Sequence, residues 1–191
     1  MKFNSNIFEE VFERLRTQLP SNLVYHNHAH TRFVVEKADF LAVQENLGEA
    51  DRYLISIAAL YHDTGFLLDR ENHEEMSCEL ARKELPDHGF SKKEIQKICG
   101  MIMATRIPQQ PHTIQEKIVA DADLFYLGTD RYELFSTKLY KELKYLDPKM
   151  DDIAWLKIQN KFISSHTYHT TYGKTVLEPV KRRNLAALKV N

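Results

Sequence analysis

From Phe8 to the C-terminus, apolar side chains recur three and four positions apart, and nowhere do they alternate with polar ones over the length of a strand. A chain patterned at a period near 3.6 buries its apolar atoms only by packing helix against helix, so the periodicity restricts the fold to the all-α class. Phe8, Val11, Phe12, Leu15 and Leu19 form the first stripe, which stops at Pro20. Asn27 is a capping residue for a second helix, with Phe33, Val34, Lys37, Phe40 and Leu41 expected on its buried side and Gly48 at its end. Asp51 is expected to cap a third helix, running through Leu54, Ile57, Ala58 and Tyr61 to His62 and Asp63, with Gly65 following at once. A fourth fits Asn72 to Leu85, before Pro86. The capping boxes Ser91-x-x-Glu94 and Thr113-x-x-Glu116 open a fifth helix, reaching about Ala104, and a sixth through Ile118, Asp121 and Phe125; the Pro-bearing loop TRIPQQPH at 105–112 separates them. Stretches 130–145 and 151–166 read as two more, and a basic helix from about Thr175 closes the chain. The expectation is a helical bundle of roughly eight to nine helices.

Composition narrows the function. With 191 residues and a net charge of −1, the chain suits a single domain over 1–191 and carries no one-signed field to hold a nucleic acid polymer or an anionic membrane. Its most apolar stretch, LISIAALY at 54–61, is too short to span a bilayer. Two cysteines, Cys78 and Cys99, and an acidic N-terminal MKFNSNIFEE in place of an apolar leader make a cytoplasmic, reduced protein the expectation.

Chemistry is concentrated in histidines and carboxylates. The segment YHNHAHTRFVV at 25–35 places His26, His28 and His30 just ahead of a helical stripe. His30, in the first turn of its helix, is biased by the macrodipole toward the neutral form that donates a lone pair to a metal. His62 and Asp63 end the third helix. Adjacent helical residues diverge by about 100°, so the pair can share one ion only where the helix terminates, and the neighbouring Gly65 is expected to give that freedom. Asp121 shares a face with Ile118 and Phe125 and points inward, where a carboxylate needs a partner and a cation is a natural one. Asp123, two positions on, is expected to face elsewhere and to be solvated.

The order His30, His62-Asp63, Asp121, with the flanking YHNxxHT, HDTG, HEEMSCELAR and ADADLF, resembles the HD-domain superfamily of metal-dependent phosphohydrolases, over roughly residues 20–135. The resemblance implies an all-α HD-type domain with its metal-binding core at about 20–135 and helices 136–191 packed on it. It further implies hydrolysis of a phosphate ester or anhydride of a small phosphorylated molecule, often a nucleotide, by a metal-activated water. His30, His62, Asp63 and Asp121 would be the metal ligands. His26 occupies the place of the general acid in the YHNxxH motif of related phosphodiesterases, and helping to close the helix entrance is its other reading. His28 reads as a surface residue.

Dinuclear members add two histidines between the HD pair and the last aspartate. Here His88 reads as a loop residue. His112 lies nine residues before Asp121, roughly 13 Å along the helix axis. The expectation is therefore a single divalent ion, with Mn, Fe, Co, Ni, Zn and Mg undistinguished, and His73 and Glu74 beside it or on the substrate. Asp63 or Glu74 would orient the water. Arg106 and Lys37 are candidates for gripping phosphate oxygens, with solvation of Arg106 and snorkelling of Lys37 as alternatives. The segment FISSHTYHTTYGKTVLEPVKRR could line a pocket wall above the metal, and Lys181-Arg182-Arg183 reads as a solvated face. A di-iron oxygenase of the same fold and a non-catalytic nucleotide or metal sensor remain open, as does the oligomeric state, a homodimer included.

Overall fold

The structure, a computed structural model describing residues 6–188, is built from α-helices joined by short 3-10 turns, with no strand among the described residues. In chain order the helices are α1 (Asn6–Gln18), α2 (His28–Gln44), α3 (Glu49–Tyr61), α4 (His73–Glu84), α5 (Lys92–Met103), α6 (Ile114–Asp123), α7 (Tyr132–Leu146), α8 (Asp152–Ser165) and α9 (Glu178–Ala187). The start signals read from the sequence work as stated at three of them, and a fourth cap, at α8, is added by the structure. The Asn27 side chain accepts hydrogen bonds from the amides of Ala29 and His30 at 3.0 and 3.3 Å. Both capping boxes are closed in each direction, and Asp151 caps α8 by accepting from the Ala154 amide.

Two boundaries differ from expectation. α2 stops at Gln44, and Asn46 takes the positive φ of 59° that lets the chain turn. Gly48 is then the N-cap of α3, and Asp51 sits inside its first turn with Glu49, where the macrodipole favours acid.

α3 is the central helix. Ile55, Ile57, Ala58, Ala59, Leu60 and Tyr61 are fully buried among α2, α5 and α6. At about 1.5–3 kcal/mol for each large side chain removed from water, this packing outweighs any single cap, worth about 1 kcal/mol, and sets where α3 lies. α7 packs on the turn Phe125–Gly128, and α9 on that turn and on α8.

Two surface assignments are corrected. Lys37 does not lie on the buried stripe of α2, which is carried by Val34, Ala38 and Leu41. Its ammonium sits 5.4 and 5.3 Å from the ring centres of Phe33 and Phe125, a cation–π arrangement at the helix flank. Lys181 is not solvated. It is buried against the His166 carbonyl and forms an ion pair with Glu178 at 2.9 Å.

Candidate metal centre

Three helix ends meet at one point. The first turn of α2 carries His30 there, His62 and Asp63 directly follow the end of α3, and α6 ends there with Asp123. His30 Nε2 lies 3.1 Å from Asp123 Oδ1 and 3.6 Å from Asp63 Oδ2. His62 Nε2 lies 3.2 Å from Asp63 Oδ2 and 3.7 Å from Asp123 Oδ1. Atoms that each bond one ion at about 2.1 Å are themselves roughly 3–3.4 Å apart; the separations of 3.1 and 3.2 Å fall in that range and those of 3.6 and 3.7 Å lie a few tenths of an ångström above it.

The donor set fits a cation in a second way. His62 Nδ1 hydrogen-bonds to the Ala59 carbonyl at 2.8 Å, which places the proton on that nitrogen and turns the Nε2 lone pair toward the cluster. Apart from their ion-pair contacts within the cluster, His62 Nε2 and Asp63 Oδ2 are buried with no hydrogen-bond partner, an arrangement that a cation between them would complete. Burial alone would raise the carboxyl groups and lower His62. The opposite charges a few ångströms away override it, holding Asp63 and Asp123 well below the usual carboxylate range and raising His62 well above the usual imidazole value.

Asp121 is not part of this cluster. It is buried as expected, but its carboxylate faces the C-terminal segment, accepting from the amides of His169 (2.9 Å) and Thr170 (2.8 Å) and from the Thr170 hydroxyl (2.7 Å). Its inward orientation is answered by hydrogen bonds rather than by a cation, and burial still raises its pKa. Asp123, taken as solvated, is the residue that reaches His30 and His62. Its position as the last residue of α6 is the signal for it. A ligand at a helix terminus escapes the lateral direction imposed on Asp121, as His62 and Asp63 do at the end of α3.

Gly65 acts by close approach rather than by flexibility. A Cβ there would lie 1.9 Å from the His73 carbonyl oxygen. Its amide donates to Ser77 Oγ, which donates to the His62 carbonyl, each at 2.8 Å. α4 is thereby docked on the His-Asp turn, and His73 Nε2 comes within 3.8 Å of Asp63 Oδ1 and 3.5 Å of Glu74 Oε1. Glu74 is buried, with Arg106 at 3.4 Å. Arg106 also pairs closely with Glu75, so its guanidinium is engaged by two carboxylates at the rim. Lys37 does not line the cavity beside the cluster. Of the three intervening histidines only His73 lines it; His88 lies 3.8 Å from Glu10, and His112 is exposed at the start of α6. His28 is half-buried, on the side of α1 away from the cluster.

His26 faces the same cavity, and α7 supplies a partner that the sequence reading did not find. Glu142, fully buried, accepts from the amides of Tyr25 and His26 at 2.9 and 3.0 Å and meets His26 Nδ1 at 2.6 Å. Burial would lower His26, but the Glu142 hydrogen bond and the nearby aspartates raise it. Phe66 stacks on the imidazole at 4.6 Å. Glu142 shares a helix face with Phe135 and Leu139, the acid-in-apolar-stripe pattern that singled out Asp121.

An all-helical bundle that gathers His30, His62 and Asp123 from three helix ends, with Asp63 beside them, carries a cluster that could hold a metal ion. The chain belongs to the HD domain family, whose model matches residues 27–126, from the cap of α2 to the turn after Asp123. No curated protein matches it. Its fold is similar to the crystal structure of a predicted HD superfamily hydrolase from an uncultured Thermotogales bacterium, with a TM-score of 0.58 and 22% identity over 96% of this chain and 86% of that one. Among the described residues no helix is long and apolar enough to cross a membrane.

Proposed function

We propose that this protein is a metal-dependent phosphohydrolase that cleaves a phosphate ester or anhydride of a small molecule, with nucleotides the first class to test. The observation that carries the reading is the cluster of His30, His62 and Asp123 with Asp63 beside it, in which two buried ligand atoms lack a hydrogen-bond partner and whose aspartates line a cavity of about 260 Å³ together with His26, His73 and Glu74. A divalent cation held by those four residues would supply Lewis acidity and a water acidic enough to act as nucleophile near neutral pH. His26, held by Glu142, is the proton donor to the leaving oxygen. Asp63 Oδ1, within 3.8 Å of His73, and the Glu74 carboxylate orient the attacking water. Phe66 stacks on the imidazoles of both His26 and His73, at 4.6 and 4.1 Å, and keeps both rings in place. The small volume of the site suits a small phosphorylated molecule rather than a polymer.

Elemental analysis of the purified protein, followed by turnover of phosphate esters and nucleoside mono-, di- and triphosphates with Mn²⁺ or Co²⁺, tests the proposal. The expected result is retained metal and cation-dependent phosphate release that falls at least about 100-fold in folded His62→Ala and Asp63→Ala variants. Phosphate release indifferent to both substitutions, or a protein that retains no cation, overturns it.

A further inference from the structure

The cavity beside the metal cluster has a second wall, outside the region matched by the family model, built by α7 and α8. Leu139 and Leu143 from α7 and Trp155, Gln159, Phe162 and Ile163 from α8 line it. Among the described residues neither lysine nor arginine lines any part of the cavity. Two basic side chains that contact its lining or the partner of His26 are committed to carboxylates, Arg106 to Glu74 and Glu75, and Arg70 to Glu142 at 3.3 Å. A substrate with three or four phosphate charges would find no counter-charge here beyond the cluster and two histidines.

One polar group stands in this apolar wall. Gln159 is only 9% exposed, and its Oε1 receives close hydrogen bonds from the hydroxyls of Tyr132 and Ser136. Two donors converging on Oε1 fix the amide and leave Nε2, which has no protein partner among the described residues, as a donor to whatever fills the cavity. A cavity of roughly 150 Å³ holds a benzene ring. At about 260 Å³ this one has room for a compact ring beside a phosphoryl group.

We infer that the substrate is a monophosphate ester whose organic part is a compact aromatic or otherwise apolar group seated between α7 and α8, presenting one hydrogen-bond acceptor to Gln159 Nε2. Among nucleotides this admits monophosphates and disfavours triphosphates. The inference rests on the hydrolase reading for the identity of the reacting group but has a readout independent of turnover. Trp155 is the chain's single tryptophan and lines the cavity, so its emission reports occupancy directly.

The test titrates the Mn²⁺-loaded protein with methylphosphonate, benzylphosphonate and 4-acetylbenzylphosphonate, following affinity by calorimetry and Trp155 emission with benzylphosphonate. Benzylphosphonate should bind about tenfold or more tightly than methylphosphonate and change the emission, as burial of a ring requires. The acetyl compound should gain about a further fivefold, a gain absent in Gln159→Leu. Equal affinities for the methyl and benzyl compounds, or no response of Trp155, overturn the inference. If polar phosphates are nevertheless hydrolysed, the hydrolase proposal stands without it; ring-selective binding without turnover of any ester supports the inference and overturns the hydrolase proposal.

Discussion

Asp121 and Asp123 are two positions apart, about 200° around a helix, and that rotation sends one carboxylate to the C-terminal segment and the other to the imidazoles. The two roles predict opposite phenotypes. Asp123→Asn should lose bound metal. Asp121→Asn should retain metal but lose about 1–3 kcal/mol of stability, because the amide presents a donor where three donors already converge. Metal analysis and urea melts on both variants separate the cases, and metal loss confined to Asp121→Asn would invert the assignment. His26 is testable by leaving group. His26→Asn should lower kcat about 10²–10⁴-fold for alkyl phosphates and much less for 4-nitrophenyl phosphate, whose phenolate leaves without a proton. A uniform loss across both would give His26 a structural role. At this scale the sequence showed His30, His62 and Asp63 directly, since all three are at or near helix ends marked by caps and stops. It also showed that an acid in an apolar stripe needs a partner, though not which partner.

At the level of elements, the site depends on how closely α4 approaches the turn after α3. Gly65→Ala places a Cβ against the backbone of His73 rather than against a movable side chain, so α4 must shift. The expected outcome is a loss of at least about 1–3 kcal/mol, with weakened metal retention as the Ser77 bridge to the His62 carbonyl opens. Gly48→Ala is the control. A Cβ there meets nothing within 4 Å and the φ of −73° is ordinary, so only the slight preference for glycine over alanine at an N-cap is lost. Equal melting temperatures for the two variants would refute the close-packing role. The capping boxes made the helices legible, but nothing in the local pattern around Gly65 distinguishes a hinge from a contact surface, because the atom it must avoid belongs to another helix.

Over the whole molecule, the C-terminal third closes the bundle through buried polar groups. Asp121 is tied to residues 169–170, and His166 is buried beside Lys181 and Tyr168. Burial, reinforced by Lys181, pushes the His166 pKa down to about 3 from an ordinary 6.5. Between those values the unfolded chain binds the proton and the folded chain does not, so stability falls on acidification below about pH 6.5, by up to about 1.4 kcal/mol per pH unit for this one group. Urea melts from pH 7 to pH 4 should show a shallower decline in His166→Gln by about one proton's worth. Identical slopes would mean that His166 is solvated in the native state.

The amino-acid pattern alone determined that this chain is helical, where most of its helices begin and end, and that His30, His62 and Asp63 stand at helix termini. Periodicity, caps and breakers act over a few residues, and their physics is complete within one turn or two. Which aspartate completes the cluster, that Glu142 orients His26, and that α7 and α8 wall a largely apolar cavity with Gln159 in it were decided only by tertiary packing. Each depends on the distance between side chains far apart in the chain, and the few degrees by which one helix is rotated against another set that distance.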